Sequence, residues 1–327
     1  MRRIAISGLG SIGRQHLAAC AGLADVRVDL FDPDPALLER ADSPLVDRRT
    51  RDFADLLAAR PDAVVLAGPD RTHVPQLLAA LDAGAKVLVE KPVAESAAVA
   101  RTAMERIADP GRVLVGYVLR HRPVVQRLRT LIHDGAIGRP SAAQVLLGAY
   151  HTITVAASRF AHPEPDRLYR DYSHEWDYLR QLFGPIGSVS AVARTTEYAG
   201  HVEHPNLVDA MLRHDEVVSH CHIDYVDTVG ARTVQVMGTA GSLFADLADG
   251  DIRLRRGDGV TYESHAASPA DGLLAQLRHL MEMVERGTAP VAGFADGVAA
   301  LEVADALRAS AVTGEWEGVP TTRSSAR

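Results

Sequence analysis

The sequence predicts an α/β protein in two parts: a doubly wound parallel sheet, followed by an α/β domain built on a large, mostly antiparallel open sheet. Three observations carry this. Residues 1–119 alternate β-rich runs with Ala/Leu-rich helical stretches, the pattern of parallel βαβ units. From residue 120 onward, short β-rich runs follow one another with glycine turn signals between them, as antiparallel pairing requires. The length of 327 residues fits about two domains, here 1–119 and 120–327.

In the first part the candidate strands are Ile4–Ser7, Val26–Phe31, Ala63–Ala67, Lys86–Val89 and Arg112–Val115. Between them Ile12–Gly22, Asp52–Ala59, His73–Gly84 and Glu95–Ala108 carry apolar residues at helical spacing, and Gly22 and Gly84 suit helix C-termini. In the second part a helix is expected over Pro123–His133, closed by Gly135, then strands at Ala142–Ala149, Val189–Thr196, Leu207–Arg213, Val217–Val226, Thr233–Met237 and Ile252–Arg255. A helix from His174 to Phe183, with Ser173 as its N-cap, is stopped by Gly184-Pro185. Two late helices, Gly272–Glu285 and Phe294–Thr313, are expected to cover one face of the second sheet, and the tail Thr321–Arg327 reads as poorly ordered.

Composition narrows the function. Hydrophobic residues make up 47% and charged residues 24% of the chain, with a net charge of −7, so neither disorder nor a polybasic surface for nucleic acid or anionic membrane is expected. Cys20 and Cys221 are too few for a disulfide framework, which favours a reducing compartment. The apolar run after Arg2-Arg3 breaks at Ser7-Gly8, too early for a signal peptide, and no run approaches a membrane span. A cytoplasmic location is expected.

Gly8-Leu9-Gly10-Ser11-Ile12-Gly13 closes the first strand and opens the first helix. There glycines permit a tight turn and close approach of a pyrophosphate to the helix N-terminus, with Ser11 and Ile12 supplying amides of the first turn. Asp32 ends the second strand about 20 residues later, the distance at which a carboxylate takes ribose hydroxyls and repels a 2′-phosphate. NAD is therefore expected in preference to NADP.

Joined to that fingerprint are Gly68-Pro69-Asp70-Arg71-Thr72-His73, Glu90-Lys91-Pro92, Val115-Gly116-Tyr117 with Leu119-Arg120, Gly135–Pro140, Ser173-His174-Glu175-Trp176-Asp177-Tyr178 and Gly238–Ser242. In order and spacing these resemble the Gfo/Idh/MocA oxidoreductases across almost the whole chain. The resemblance implies an N-terminal Rossmann domain, a C-terminal domain whose open sheet packs subunits into a homodimer or homotetramer, and hydride transfer between nicotinamide and a secondary alcohol or ketone of a sugar, sugar derivative or cyclitol. It also implies cofactor contacts from Pro69, His73, Glu90 and Lys91, and substrate contacts from Lys91, Arg120, Asp171 and His174.

Physical chemistry supports some of these roles. Lys91 stands just past a strand's C-terminal end, where ligands bind in open α/β sheets, and its ammonium can steady charge on a reacting oxygen. A histidine at a helix N-terminus is held toward the neutral form and can accept a hydroxyl proton, given a group that fixes its tautomer. The commoner family pattern has an aspartate four residues before the histidine, after a glycine-rich stretch. Here Arg170 holds that position and Pro163-Glu164-Pro165 replaces the glycines, while Asp171 stands three residues before His174, as in a branch with a Ser-His-Glu-x-Asp-Tyr segment. Asp171 and Asp177 both remain candidates for the orienting acid. Arg120 has the competing reading of a linker arginine packed on an acidic neighbour. His214, His220 and His222 lack accompanying ligands at metal-site spacing, so no metal is expected. Two alternatives keep the fold: transient oxidation and re-reduction of one substrate, as in an epimerase, lyase or glycosidase, or non-catalytic dinucleotide sensing.

Overall fold

In the first part, every apolar run long enough to be buried on both faces becomes a strand. The computed structural model describes residues 1–150, 165–196 and 204–320; Pro163-Glu164 and the tail from Thr321 lie outside the described residues. β1 (Arg2–Ser7), β2 (Val26–Phe31), β3 (Val46–Thr50), β4 (Ala63–Leu66), β5 (Lys86–Val89) and β6 (Val113–Val115) form one sheet in the order β3-β2-β1-β4-β5-β6. All neighbours are parallel. The order reverses between β1 and β4, which is the switch point at which open α/β sheets bind ligands. The connections are α1 (Ser11–Ala19), α2 (Pro35–Arg40), α3 (Phe53–Ala58), α4 (Asp70–Asp82) and α5 (Ala97–Arg106). Ile4, Ile6, Val28, Leu30, Val64, Leu66, Val87 and Leu88 are fully buried between them.

Two elements here escape the sequence patterns. β3 reads Val-Asp-Arg-Arg-Thr, with one apolar residue, and can be a strand because it is the sheet edge, paired only with β2. The short α2 is set by its cap: the Asp34 side chain accepts from Ala36 N, with Pro35 in the first turn.

Among the described residues the chain divides into two compact units, Met1–His121 with Ser268–Val298, and Arg122–Ala267 with 299–320. The second contains α6 (Pro123–His133), β7 (Pro140–Gly148), α7 (Arg167–Asp171), α8 (Ser173–Phe183) and then β8 (Ser188–Arg194), β9 (Leu207–Arg213), β10 (Val218–Asp224), β11 (Ala231–Gly238), β12 (Gly241–Asp246), β13 (Asp251–Arg256) and β14 (Gly259–Ser264). Then come α9 (Pro269–Arg286), α10 (Phe294–Thr313) and β15 (Glu317–Gly318). The second sheet runs β14-β13-β12-β11-β7-β10-β9-β8-β15. It is antiparallel apart from β7 and β10. That pair is parallel because α7 and α8 intervene after β7, and the β8-β9-β10 meander then lays its last strand alongside.

The expectation that both late helices cover this sheet is half right. α10 does so in part, Ser310 Oγ accepting from Ala191 N of β8 at 3.0 Å. α9 packs instead on α1, β4 and β5 of the first unit, burying Leu273, Leu277, Leu280, Met281 and Met283. Ser173 is also not a cap: it is the first residue of α8, fully buried, and Tyr172 precedes it without a side-chain capping bond. α7 runs to within one residue of α8, which leaves no extended residue from which a serine could cap.

Candidate active site

In the first unit the loop between β1 and α1 is built by three glycines with different duties. Gly8 has φ +90°, and a Cβ there would strike the backbone of Gly68; a Cβ on Gly13 would be driven into the Gly8 carbonyl. A Cβ on Gly10 would meet nothing within 4 Å, so this glycine keeps open space at the helix N-terminus, where unpaired first-turn amides favour an anion. Asp32, immediately after β2, is fixed beside the loop: its Oδ2 accepts from Leu9 N at 2.7 Å and its Oδ1 from Asp34 N at 2.9 Å. The cradle at Gly10 and the oriented carboxylate suit an adenine dinucleotide, whose pyrophosphate the first-turn amides would hold and whose ribose Asp32 would take. Arg14 is turned onto the Leu9 carbonyl at 2.9 Å.

The other predicted cofactor residues gather at the C-terminal ends of β4 and β5. Pro69 precedes α4 at its N-cap position. The buried His73 ring lies between two carbonyls, Nδ1 at 2.8 Å from Pro92 O and Nε2 at 2.9 Å from Gly68 O. Burial lowers its pKa against the pull of those carbonyls, so the neutral ring donates to one of them at a time. Glu90 turns inward: its Oε1 is 2.8 Å from the buried His16 Nε2, its Oε2 accepts from Lys91 N at 3.3 Å, and a Cβ on Gly116 would lie 2.6 Å from Oε2. Glu90 therefore ties α1 to the end of β5 and fixes the backbone on which Lys91, half-buried, is carried. The His16 end of this tie follows from no spacing rule, since the partners are far apart in sequence.

Arg120 is buried, with Nη2 3.3 Å from Asp296 Oδ1, Nη1 on the Val291 carbonyl and the guanidinium 6.0 Å above the Tyr117 ring. The structure thus gives it the packing partners of the competing reading. Next to it His121, 5.7 Å from His279, has its pKa pushed down to about 4, by burial first and by His279 and Arg120 after that.

In the second unit Asp171 ends α7 and His174 sits in the first turn of α8. The corner is braced from several sides. Trp176 Nε1 donates to the Tyr169 carbonyl at 3.0 Å. Asp171, 4% exposed, accepts from the Tyr225 hydroxyl at 3.0 Å. The fully buried Glu175 accepts from Arg232 three times, at 2.7, 2.9 and 3.0 Å. Burial disfavours the Arg232 charge, but Glu175 more than offsets this and raises its pKa. Tyr178, buried beneath them, is pushed well above the usual phenol value by burial and by Glu175. His174 is half-buried and Asp177 is buried.

Tyr225 and Arg232 carry no motif. Arg232 could have been found by alternation, since it stands in register with Val234 and Val236 on the buried face of β11, where a charge requires a partner. Tyr225 leaves no comparable trace. Among the described residues no group of three or more His, Cys, Asp or Glu could hold a metal ion; His222 lies between Asp209 (2.9 Å) and Asp224 (3.0 Å) instead.

The sheet order, the glycine cradle and Asp32 define a dinucleotide-binding protein of the Rossmann class. Residues 2–117 match the family model for the NAD-binding Rossmann fold of the GFO/IDH/MocA oxidoreductases, and residues 125–244 match that family's C-terminal domain. The chain belongs to this family. It is 32% identical to inositol 2-dehydrogenase of Mycolicibacterium gilvum over 79% of this chain and 74% of that one. Among solved structures, an oxidoreductase from Agrobacterium radiobacter in complex with NAD+, L-tartaric acid and magnesium superposes with TM-score 0.87 at 19% identity, over 97% and 98% of the two chains. Levoglucosan dehydrogenase in complex with NADH does so with TM-score 0.83 at 20% identity, over 98% and 99%. At these identities the structural likeness establishes the fold. Among the described residues no helix is long and apolar enough to cross a membrane.

Proposed function

We propose that this protein is a cytoplasmic NAD-dependent dehydrogenase that oxidises a ring hydroxyl of a cyclitol, or of a sugar of similar shape, to the ketone. The observation that carries the reading is the identity with an inositol 2-dehydrogenase over most of both chains. The histidine of α8 and the lysine after β5 add to it, because they are the groups the chemistry needs. The chemistry that NAD supplies when bound is acceptance of a hydride. The protein's own residues do the rest: His174 takes the hydroxyl proton, the Lys91 ammonium steadies negative charge on the oxygen, and Asp171 orients the imidazole. The other candidate for that duty, Asp177, is buried three residues further along α8.

The proposed partner is a second copy of the chain, on the open face of the nine-stranded sheet. Leu146, Val192, Met211, Val218, Val260 and Tyr262 are all exposed there, more apolar surface than a solvent-facing sheet usually presents.

The test follows nicotinamide absorbance while inositols, sugars, amino sugars and nucleotide sugars are offered with NAD and with NADP. Net NADH formation from a cyclitol or sugar is expected, with NADP the poorer acceptor. Conversion of substrate without net NADH would move the protein to the transient-redox class. NAD binding with no turnover on any polyol would make it a sensor.

A further inference from the structure

We propose that His16, on α1, is a positioning residue for Lys91: through Glu90 it sets the backbone from which the lysine reaches the reacting oxygen. The inference rests on the reading of Lys91 as the group that steadies charge on that oxygen, and deepens it by naming what holds the lysine in place.

His16 is 0% exposed, and its Nε2 lies 2.8 Å from Glu90 Oε1. A carboxylate only accepts, so Nε2 carries the proton and donates. The other ring nitrogen, Nδ1, is buried with no hydrogen-bond partner among the described residues. Burying a histidine with one nitrogen unsatisfied is costly, and an apolar side chain would fill the same core without that cost. What the histidine adds is its hold on Glu90. Glu90 passes the constraint on. Its Oε2 accepts from Lys91 N at 3.3 Å, its own N donates to the Leu66 carbonyl at 2.9 Å, and Gly116 makes room for its carboxylate, since a Cβ there would lie 2.6 Å from Oε2. Beyond Lys91 the chain is pinned as well, with the Pro92 carbonyl 2.8 Å from Nδ1 of the buried His73. Histidines from α1 and α4 thus hold the residues on either side of Lys91. Lys91 interacts elsewhere too; what the clamp sets is the origin of its long, flexible stem, where a displacement of about 1 Å is enough to misplace the ammonium.

The glycine loop has anchors of its own, Gly8 N on the Phe31 carbonyl at 2.9 Å and Leu9 N on Asp32 at 2.7 Å, so NAD binding should not depend on His16. His16→Leu removes the donor and keeps an apolar side chain in the core. The expected result is a fall in kcat of about tenfold from misplacement of the ammonium, with NAD affinity unchanged. His16→Gln, which keeps an N–H donor, should recover most of the loss. In a Lys91→Ala background His16→Leu should cost nothing further, as residues acting through one chain of contacts are non-additive. Gly116→Ala, which crowds the Glu90 carboxylate instead, should show the same loss and the same coupling to Lys91, and serves where His16→Leu does not fold. A His16→Leu enzyme that only melts earlier, with kcat intact, overturns the proposal, and so do losses that multiply. Lys91→Ala at nearly the full rate is a different failure: the reading of Lys91 falls, and the proposal with it.

Discussion

β4 and β10 are both interior strands, yet they are buried in opposite fashions. Ala63, Val64, Val65 and Leu66 of β4 are all at 0% exposure, whereas along β10 the buried Ser219, Cys221 and Ile223 alternate with exposed Val218 and His220 and half-buried His222. The parallel sheet is covered on both faces because every crossover lays a helix on it, so each residue of its inner strands must be apolar. The second sheet is covered on one face, and every other residue is released from the core. In the first unit the sheet ends present mainly backbone and fixed loops, such as the glycine turn after β1. In the second, a helix laid on the covered face can carry reactive side chains, which the buried side of the sheet then braces, as Arg232 and Tyr225 do.

The strongest way to break this contrast is to substitute leucines from the two sheets. Leu88→Ala, at a fully buried position of β5, should cost about 3 kcal/mol in denaturant unfolding. Leu146→Glu, on the open face of β7 where the side chain is 42% exposed, should leave the fold and its circular dichroism intact and lower the solution mass toward that of one chain. An unchanged mass would mean that the face is not an interface. Next in size is the division of labour. His174→Ala and Lys91→Ala should each lower turnover by about a hundredfold or more and leave the dissociation constant for NAD unchanged, with Asp171→Asn milder. Asp177→Asn proving worse than Asp171→Asn would transfer only the orienting role. Asp32→Ser should reduce the preference for NAD over NADP by about tenfold, measured as the ratio of kcat/KM values.

The smallest effect belongs to His222. Burial works against its protonation, but Asp209 and Asp224 beside the two ring nitrogens outweigh it and raise its pKa above 6.5. The stabilisation is therefore fully present below that ordinary value and is lost as pH rises through the folded one. Between about pH 6 and 8 the native protein should lose about 1–2 °C of Tm relative to His222→Gln, read by calorimetry.

The same contrast explains what was legible in the sequence. Runs such as Ala63–Leu66 and alternations such as Leu207–Arg213 reach their strands because local pattern and burial agree. β14 and the polar edge strand β3 escaped because edge strands need little apolar signal, and the interior β12 because its Gly-Ser start reads as a turn. At the site, the glycine loop, Asp32, Lys91 and His174 were readable because the chemistry dictates residue type near a motif. The His16–Glu90 tie and the Tyr225–Asp171 bond were not, since both join positions more than fifty residues apart, which only the fold brings into contact. Helix α9 was visible as a helix but went to the wrong sheet, because an apolar helical face says nothing about which surface will receive it.

That return of α9 governs how the protein is made. The cofactor half is not a continuous stretch of chain, because Ser268–Val298 completes it after the whole central segment has been synthesised. At usual rates of translation the first 121 residues wait on the order of ten seconds for their last helix, with the flank that α9 will cover still bare. Fragments ending near residue 121 should therefore be sticky and prone to capture by chaperones. Anyone wishing to transplant the dinucleotide-binding half into another protein would need to splice α9 back onto it through a new connection.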